Sequence, residues 1–176
     1  MRLLLKNKYY LLSAITLFLI ACSNPFAPEL SKGDPDAGLI ITAQRSPQEV
    51  LTNFSFAYNF KDSLVYSDLL DSSFIFISKN YNTDPVTDIN WGRDVDIRTT
   101  NRMFNFFQSL DLVWGRSVNE SFLDEDSLLY ELTTNFQLTI DGGTEYSTIT
   151  GTALFHFIKK PSGIWKITRW EDRSNI

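Results

Sequence analysis

One cysteine and one histidine limit the chemistry open to this 176-residue chain. Cys22 is a lone thiol, which excludes an intramolecular disulfide framework and any Cys-rich zinc site. His156 is a lone imidazole, which excludes a multi-His metal centre. It shares strand parity with Thr148, Thr150, Thr152 and Leu154, opposite Ile149, Ala153, Phe155 and Phe157. With the phenylalanines inward, His156 faces outward and reads as a sheet-surface residue rather than an acid or base. Asp124-Glu125-Asp126 lies between two strand patterns, where consecutive acids decorate a solvated turn, so no metal is predicted there. Asp94 and Asp96, with Arg93 and Arg98, stand at a helix start, where carboxylates complement the dipole. The sequence holds no Gly-rich phosphate loop, serine nucleophile elbow or CxxC pair, and implies no cofactor. Tyr58, Tyr66, Trp91, Trp114 and Phe155 are the candidates for lining a cavity, because aromatic walls with a polar handle suit a small apolar ligand. Simple packing of these rings into a core already rich in Phe (14 residues) is the competing expectation.

The thiol has a more specific use. Arg2, Lys6 and Lys8 precede an apolar run from Leu11 to Ile20, too short to span a bilayer and suited to a secretory signal peptide. Leu19-Ile20-Ala21-Cys22 resembles a bacterial lipobox. The resemblance implies cleavage before Cys22 and acylation of its sulfur, so that residues 1–21 are a lipoprotein signal peptide and Cys22 anchors the chain to a membrane. Ser23, rather than Asp, implies sorting to the outer membrane, facing the periplasm. Cleavage removes Arg2, Lys6 and Lys8 and no acid, which moves the formal net charge from −5 to −8. So acidic a chain has no basic surface for phosphate, and nucleic acid is excluded as a partner.

Residues 22–45 read as a tether, with Pro25, Pro28 and Pro35 and a Gly33-Asp34-Pro35-Asp36 turn cluster; Leu39-Ile40-Ile41 could dock on the domain as an arm. One domain, 46–176, follows. Ser46-Pro47-Gln48-Glu49 forms a capping box. It opens a helix with Val50, Leu51, Phe54, Ala57 and Tyr58 on one face and Phe56 and Phe60 on another, which predicts a helix covered nearly all round. Leu64 to Leu70 suggests a short second helix, and Phe74-Ile75-Phe76-Ile77 a buried strand. Residues 79–95 look like loop, and a third helix is predicted from about Asp96. The period then changes to two. Leu110 to Trp114 alternates, and Leu128 to Ile140 alternates over a long strand with one buried face. Asp141-Gly142-Gly143 and Lys160-Pro161-Ser162-Gly163 turn the chain into strands ending at Ile158 and Trp170, with Gly115 and Gly151 as bulge sites. Helices followed by an antiparallel meander make an α+β fold, with the N-terminal helices packed on a strongly curved, mostly antiparallel sheet.

Ser46-Pro47-Gln48-Glu49-Val50, Ala57-Tyr58, Asp62, Tyr66, Leu69-Leu70, Asp71 and Phe74, with a last strand Gly163 to Asp172, resemble the nuclear transport factor 2-like superfamily. This is the cone-shaped fold shared by SnoaL-like proteins and ketosteroid isomerase. The resemblance covers residues 46 to about 172 and implies a pocket in the cone, without fixing any chemistry. Matching the isomerase pattern puts Phe54 at the tyrosine donor, Ser78 at the carboxylate base and Phe155 at the acidic donor, so none of the three functional groups is present. The expectation is a non-catalytic, envelope-anchored binding module for a small apolar ligand or a protein partner. The alternatives are a SnoaL-like enzyme with other acid/base residues, or a dimerisation domain associating through its sheet face.

Overall fold

The structure, a computed structural model, describes residues 41–175. Cys22, segment 1–21 and residues 22–40 of the expected tether lie outside the described residues.

The end of that tether packs on the domain. Thr42 donates its N–H to Asn53 Oδ1 at 2.7 Å, Asn53 Nδ2 donates to the Thr42 carbonyl at 3.1 Å, and Trp165 N–H donates to the Gln44 carbonyl at 2.8 Å. The exchange satisfies the wholly buried Asn53 amide, a polar side chain that a helix core accepts only when paired.

Helix α1 (Pro47–Asn59) starts at the capping box, with the Ser46 hydroxyl accepting from Glu49 N–H at 3.2 Å. The Glu49 carboxylate reaches back one residue further than the motif requires, to Arg45 N–H at 2.7 Å. One face of α1 is buried as predicted, but Phe60, just beyond its end, is 64% exposed and Phe56 stacks on it, so the helix is not covered all round. Asp62 caps α2 (Ser63–Leu69) by accepting from Leu64 and Val65 N–H groups. In β1 (Leu70–Asn80) Phe74 and Phe76 turn inward while Ile75 is largely exposed, so the apolar run is one-sided rather than fully buried.

Part of the expected loop is strand β2 (Thr87–Gly92), paired antiparallel with β1 from Ile75↔Gly92 to Asn80↔Thr87. Its composition is polar because it is an edge; Trp91 alone is substantially covered, stacked on Phe76 at 4.4 Å. Helix α3 (Arg93–Phe106) begins at Arg93 rather than Asp96, placing Asp94 and Asp96 in its first turn. Strands β3 (Ser109–Phe122), β4 (Leu129–Asp141), β5 (Tyr146–Lys159) and β6 (Trp165–Asn175) complete a six-stranded sheet of order β2-β1-β6-β5-β4-β3. Among the described residues only the β1/β6 pair is parallel. The fold of the described residues is thus α+β, with three helices on a curved mixed sheet and the core between them.

Gly115 falls in the register irregularity between Trp114 and Ser117. Gly151 makes no bulge; it pairs regularly with Phe136 and Ser174, and the β5/β6 irregularity lies at His156/Phe157 instead. Gly151 is glycine because an added Cβ would stand 2.5 Å from Ser174 Cα. Asp124 fastens its turn by accepting from Leu128 and Leu129 N–H at 3.0 and 2.8 Å. His156 lies on the sheet face opposite Phe155 and Phe157, half-buried beside Glu131 at 3.1 Å.

Candidate functional site

Strand parity on β6 sets the site. Trp170, Asp172 and Ser174 alternate along one face and point toward the helices. Leu112 and Trp114 from β3, Phe136 and Leu138 from β4 and Ile149 from β5 share that inner face. From above come Phe54 and Tyr58, one turn apart on α1, and Met103 from α3. Together they line a cavity of about 180 Å³.

The aromatic wall is interlocked. The Phe54 ring lies 5.0 Å from Tyr58, 5.4 Å from Trp114 and 5.3 Å from Trp170, mostly edge to face. Trp114 is further held by its Nε1, which donates to the Leu51 carbonyl at 2.9 Å. The wall is pre-formed, which limits the ordering cost of filling it.

Its polar groups are Asp172 and Ser174 on β6 and the Tyr58 hydroxyl on α1. Burial raises the Asp172 carboxyl above the ordinary aspartate value, because desolvation penalises the charged form; Ser174, donating from its N–H at 2.9 Å and its hydroxyl at 3.3 Å, pulls the other way. Tyr58 has its phenol pushed well up by burial and by the charges of Asp96 and Asp172, so it stays protonated. Trp170 Nε1 is buried and, among the described residues, has no hydrogen-bond partner.

A second polar cluster braces the cavity from behind. Asp96, 3% exposed, accepts from the Tyr66 hydroxyl at 2.5 Å and from Trp91 Nε1 at 2.9 Å. Burial raises its carboxyl, while these two donors counter the rise. Of the five residues expected to line a cavity, Tyr58 and Trp114 therefore stand in its wall. Tyr66 and Trp91 are turned to Asp96, and Phe155 is wholly buried, stacked on Trp170 at 5.9 Å. Among the isomerase-equivalent positions, Phe54 is in the wall and Phe155 in the core. Ser78 lines a neighbouring groove of about 450 Å³, which Asp172 and Ser174 line as well. The cations of that groove are matched by acids on the protein itself: Lys79 by Asp88, and Arg169 and Arg173 by Glu171. Among the described residues, no three His, Cys, Asp or Glu side chains converge as a metal site.

The sequence reading missed Asp172 and Ser174 because the run Glu171-Asp172-Arg173-Ser174 has the polarity of a chain end. Parity carried two steps past Trp170 would have found them on the inner face.

No protein-family model matches the chain, and no curated protein matches it. Solved structures do. A provisionally assigned scytalone dehydratase from Novosphingobium aromaticivorans superposes with a TM-score of 0.60 at 15% identity, covering 75% of this chain and 83% of its own. The structure of LinA gives 0.59 at 10% identity, over 73% and 83% of the two chains. A provisionally assigned dehydratase of the NTF2-like family from Streptomyces avermitilis gives 0.53 at 17% identity, over 69% and 88%. At these identities the likeness defines the fold: an NTF2-like α+β cone, shared by enzymes and by proteins of unknown function.

Proposed function

We propose that this chain is an envelope lipoprotein, held to the periplasmic face of the outer membrane by acylated Cys22, whose cone domain binds a small, largely apolar ligand without turning it over. The cavity of about 180 Å³ carries the reading. A cavity near 150 Å³ lined by apolar side chains takes up benzene, so a monocyclic molecule matches this volume. Filling it removes apolar surface from water on both sides of the contact. At the three isomerase-equivalent positions, Phe54, Ser78 and Phe155, the side chains are benzyl, hydroxymethyl and benzyl, which supports binding over isomerase chemistry.

Toluene tests the cavity directly. Near saturation it is expected to raise the Tm of the protein by several degrees, because a ligand bound only by the folded state stabilises it. Leu138→Trp, which fills the cavity from β4, should abolish the rise. An unchanged Tm for the unsubstituted protein would contradict the reading.

Asp172 favours a second reading, a SnoaL-like proton-transfer enzyme. A carboxyl raised by burial beside an apolar cavity has the properties of a general acid or base. The dehydratase names carried by two structural neighbours support the same direction. The two readings separate on incubation with small molecules extracted from the envelope. Consumption by the unsubstituted protein but not by Asp172→Asn favours the enzyme, and retention without change favours the binding module.

A further inference from the structure

The cavity meets a gap in the sheet. The β1/β6 ladder ends at Ile77↔Glu171. Beyond it β1 runs on to Asn80 paired with β2, and β6 runs on to Asn175 paired with β5. The two strands part there, and the groove of about 450 Å³ lies between them, with Ser78, Lys79 and Tyr81 on one side and Glu171 to Ser174 on the other. Pairing with β5 puts Glu171 and Arg173 on the outer face of β6, across from Leu154 and Thr152, and Asp172 and Ser174 on the inner face, across from Ala153 and Gly151. A groove lined from both faces of one strand passes the edge of that strand. Asp172 and Ser174 line the cavity as well, so they stand at the neck between cavity and groove.

Asp172 is the acid at this neck without a counter-charge. Lys79 pairs with Asp88, and Arg169 and Arg173 both close on Glu171 at 2.8 Å, on the outer face. Asp172 accepts from the Ser174 N–H and hydroxyl and, among the described residues, is in no ion pair. Two donors leave a carboxylate with acceptor capacity. Asp172 is also half-buried rather than sealed. A half-buried carboxylate is poorly solvated, so an opposite charge brought to it is worth more than in water. The rings of Tyr58 and Trp170 line the same cavity, and the face of an aromatic ring attracts a cation.

On the reading of the cone as a ligand site, we infer that its ligand is an organic cation of the arylalkylamine class, with the ring in the cavity, the ammonium on Asp172 at the neck, and any chain on the nitrogen leaving through the β1/β6 gap. The aromatic wall holds the ring and Asp172 supplies the counter-charge. The groove keeps the ammonium in touch with water, which limits the cost of desolvating it. A neutral molecule of the same shape fills the cavity without using Asp172, and a carboxylate in the place of the ammonium is repelled.

Benzylamine, benzyl alcohol and benzoate are of nearly equal size and are a cation, a neutral molecule and an anion at pH 7. Isothermal titration of the protein is expected to rank them in that order of affinity. Benzylamine should bind roughly three- to tenfold tighter than benzyl alcohol, between the worth of an exposed ion pair and that of a charge-assisted hydrogen bond. Added salt should narrow that gap, because screening weakens the charged pair alone. Asp172→Asn should bring benzylamine to within about twofold of benzyl alcohol and leave benzyl alcohol nearly unchanged. Circular dichroism checks that the variant folds, and the ranking in the unsubstituted protein stands without it. N-butylbenzylamine should bind like benzylamine, whereas 4-butylbenzylamine should lose binding, because a cavity of about 180 Å³ holds the ring and little more.

Equal affinity for benzylamine and benzyl alcohol, or a substitution that weakens both alike, overturns the cation site and leaves the cavity standing. Binding of 4-butylbenzylamine as tightly as its N-butyl isomer, or loss of the N-butyl compound alone, overturns the exit through the gap. If none of these probes binds and toluene does not either, the cavity is closed to ligands of this size, and the inference falls with it.

Discussion

Asp172 is the residue whose ionisation the fold opposes most usefully. Its carboxyl is raised by burial, and Ser174 restrains the rise without cancelling it. The folded chain therefore binds this proton more tightly than the unfolded chain. Stability from the proton is complete below about pH 4 and is lost as pH rises through the folded value. Asp172→Asn is uncharged at every pH and its amide oxygen still accepts from Ser174 N–H. It is expected to be more stable than the unsubstituted protein at pH 7, with the advantage disappearing by about pH 3, where Asp172 is itself neutral. Urea denaturation at the two pH values measures this, and a larger advantage at the acid value would contradict it. Asp96 is raised in the same sense, but both of its oxygens are occupied by Tyr66 and Trp91, which makes it a structural acid.

At the level of elements, the β5/β6 pair sets how closely Asp172 to Ser174 lie against β5. Gly151 faces Ser174 across the pair, and an added Cβ would lie 2.5 Å from Ser174 Cα and 2.8 Å from the Arg173 carbonyl oxygen. Backbone cannot yield as a side-chain tip can. Gly151→Ala is therefore expected to destabilise the domain by about 1–3 kcal/mol, as overpacking does, and to speed amide exchange along Asp172–Ser174. Chemical denaturation and hydrogen exchange report the two effects, and a neutral substitution would contradict the close approach. The elements differed in how openly the sequence announced them. α1 was legible from Ser46-Pro47-Gln48-Glu49, and β4 from strict alternation over Leu128 to Ile140, because capping and one-sided burial leave fixed spacings. β2 was hidden, since an edge strand with one covered residue needs almost no apolar pattern. The last five residues of β6 were hidden for a related reason. Glu171 accepts from Arg173 and Asp172 from Ser174, so Asp172 and Ser174 looked like a solvated end. The site was half legible: aromatic type pointed to Tyr58 and Trp114, but only the packing of α2 and α3 shows that Tyr66 and Trp91 serve Asp96.

For the molecule as a whole, the proposed anchor and the cone divide the work between Cys22 and residues 41–175. Each buried CH₂ of an acyl chain contributes about 0.8 kcal/mol, so several chains on Cys22 would make membrane attachment effectively permanent. Cys22→Ala should leave the full chain in the soluble or unprocessed fraction, and membrane partition equal to the unsubstituted protein would contradict lipidation. Native mass spectrometry of the protein purified from its own cell envelope tests the central claim most directly. A retained small-molecule mass on the unsubstituted domain, absent from Leu138→Trp, is the predicted result. A bare mass for both, or the same added mass on both, would contradict a ligand held in the cone.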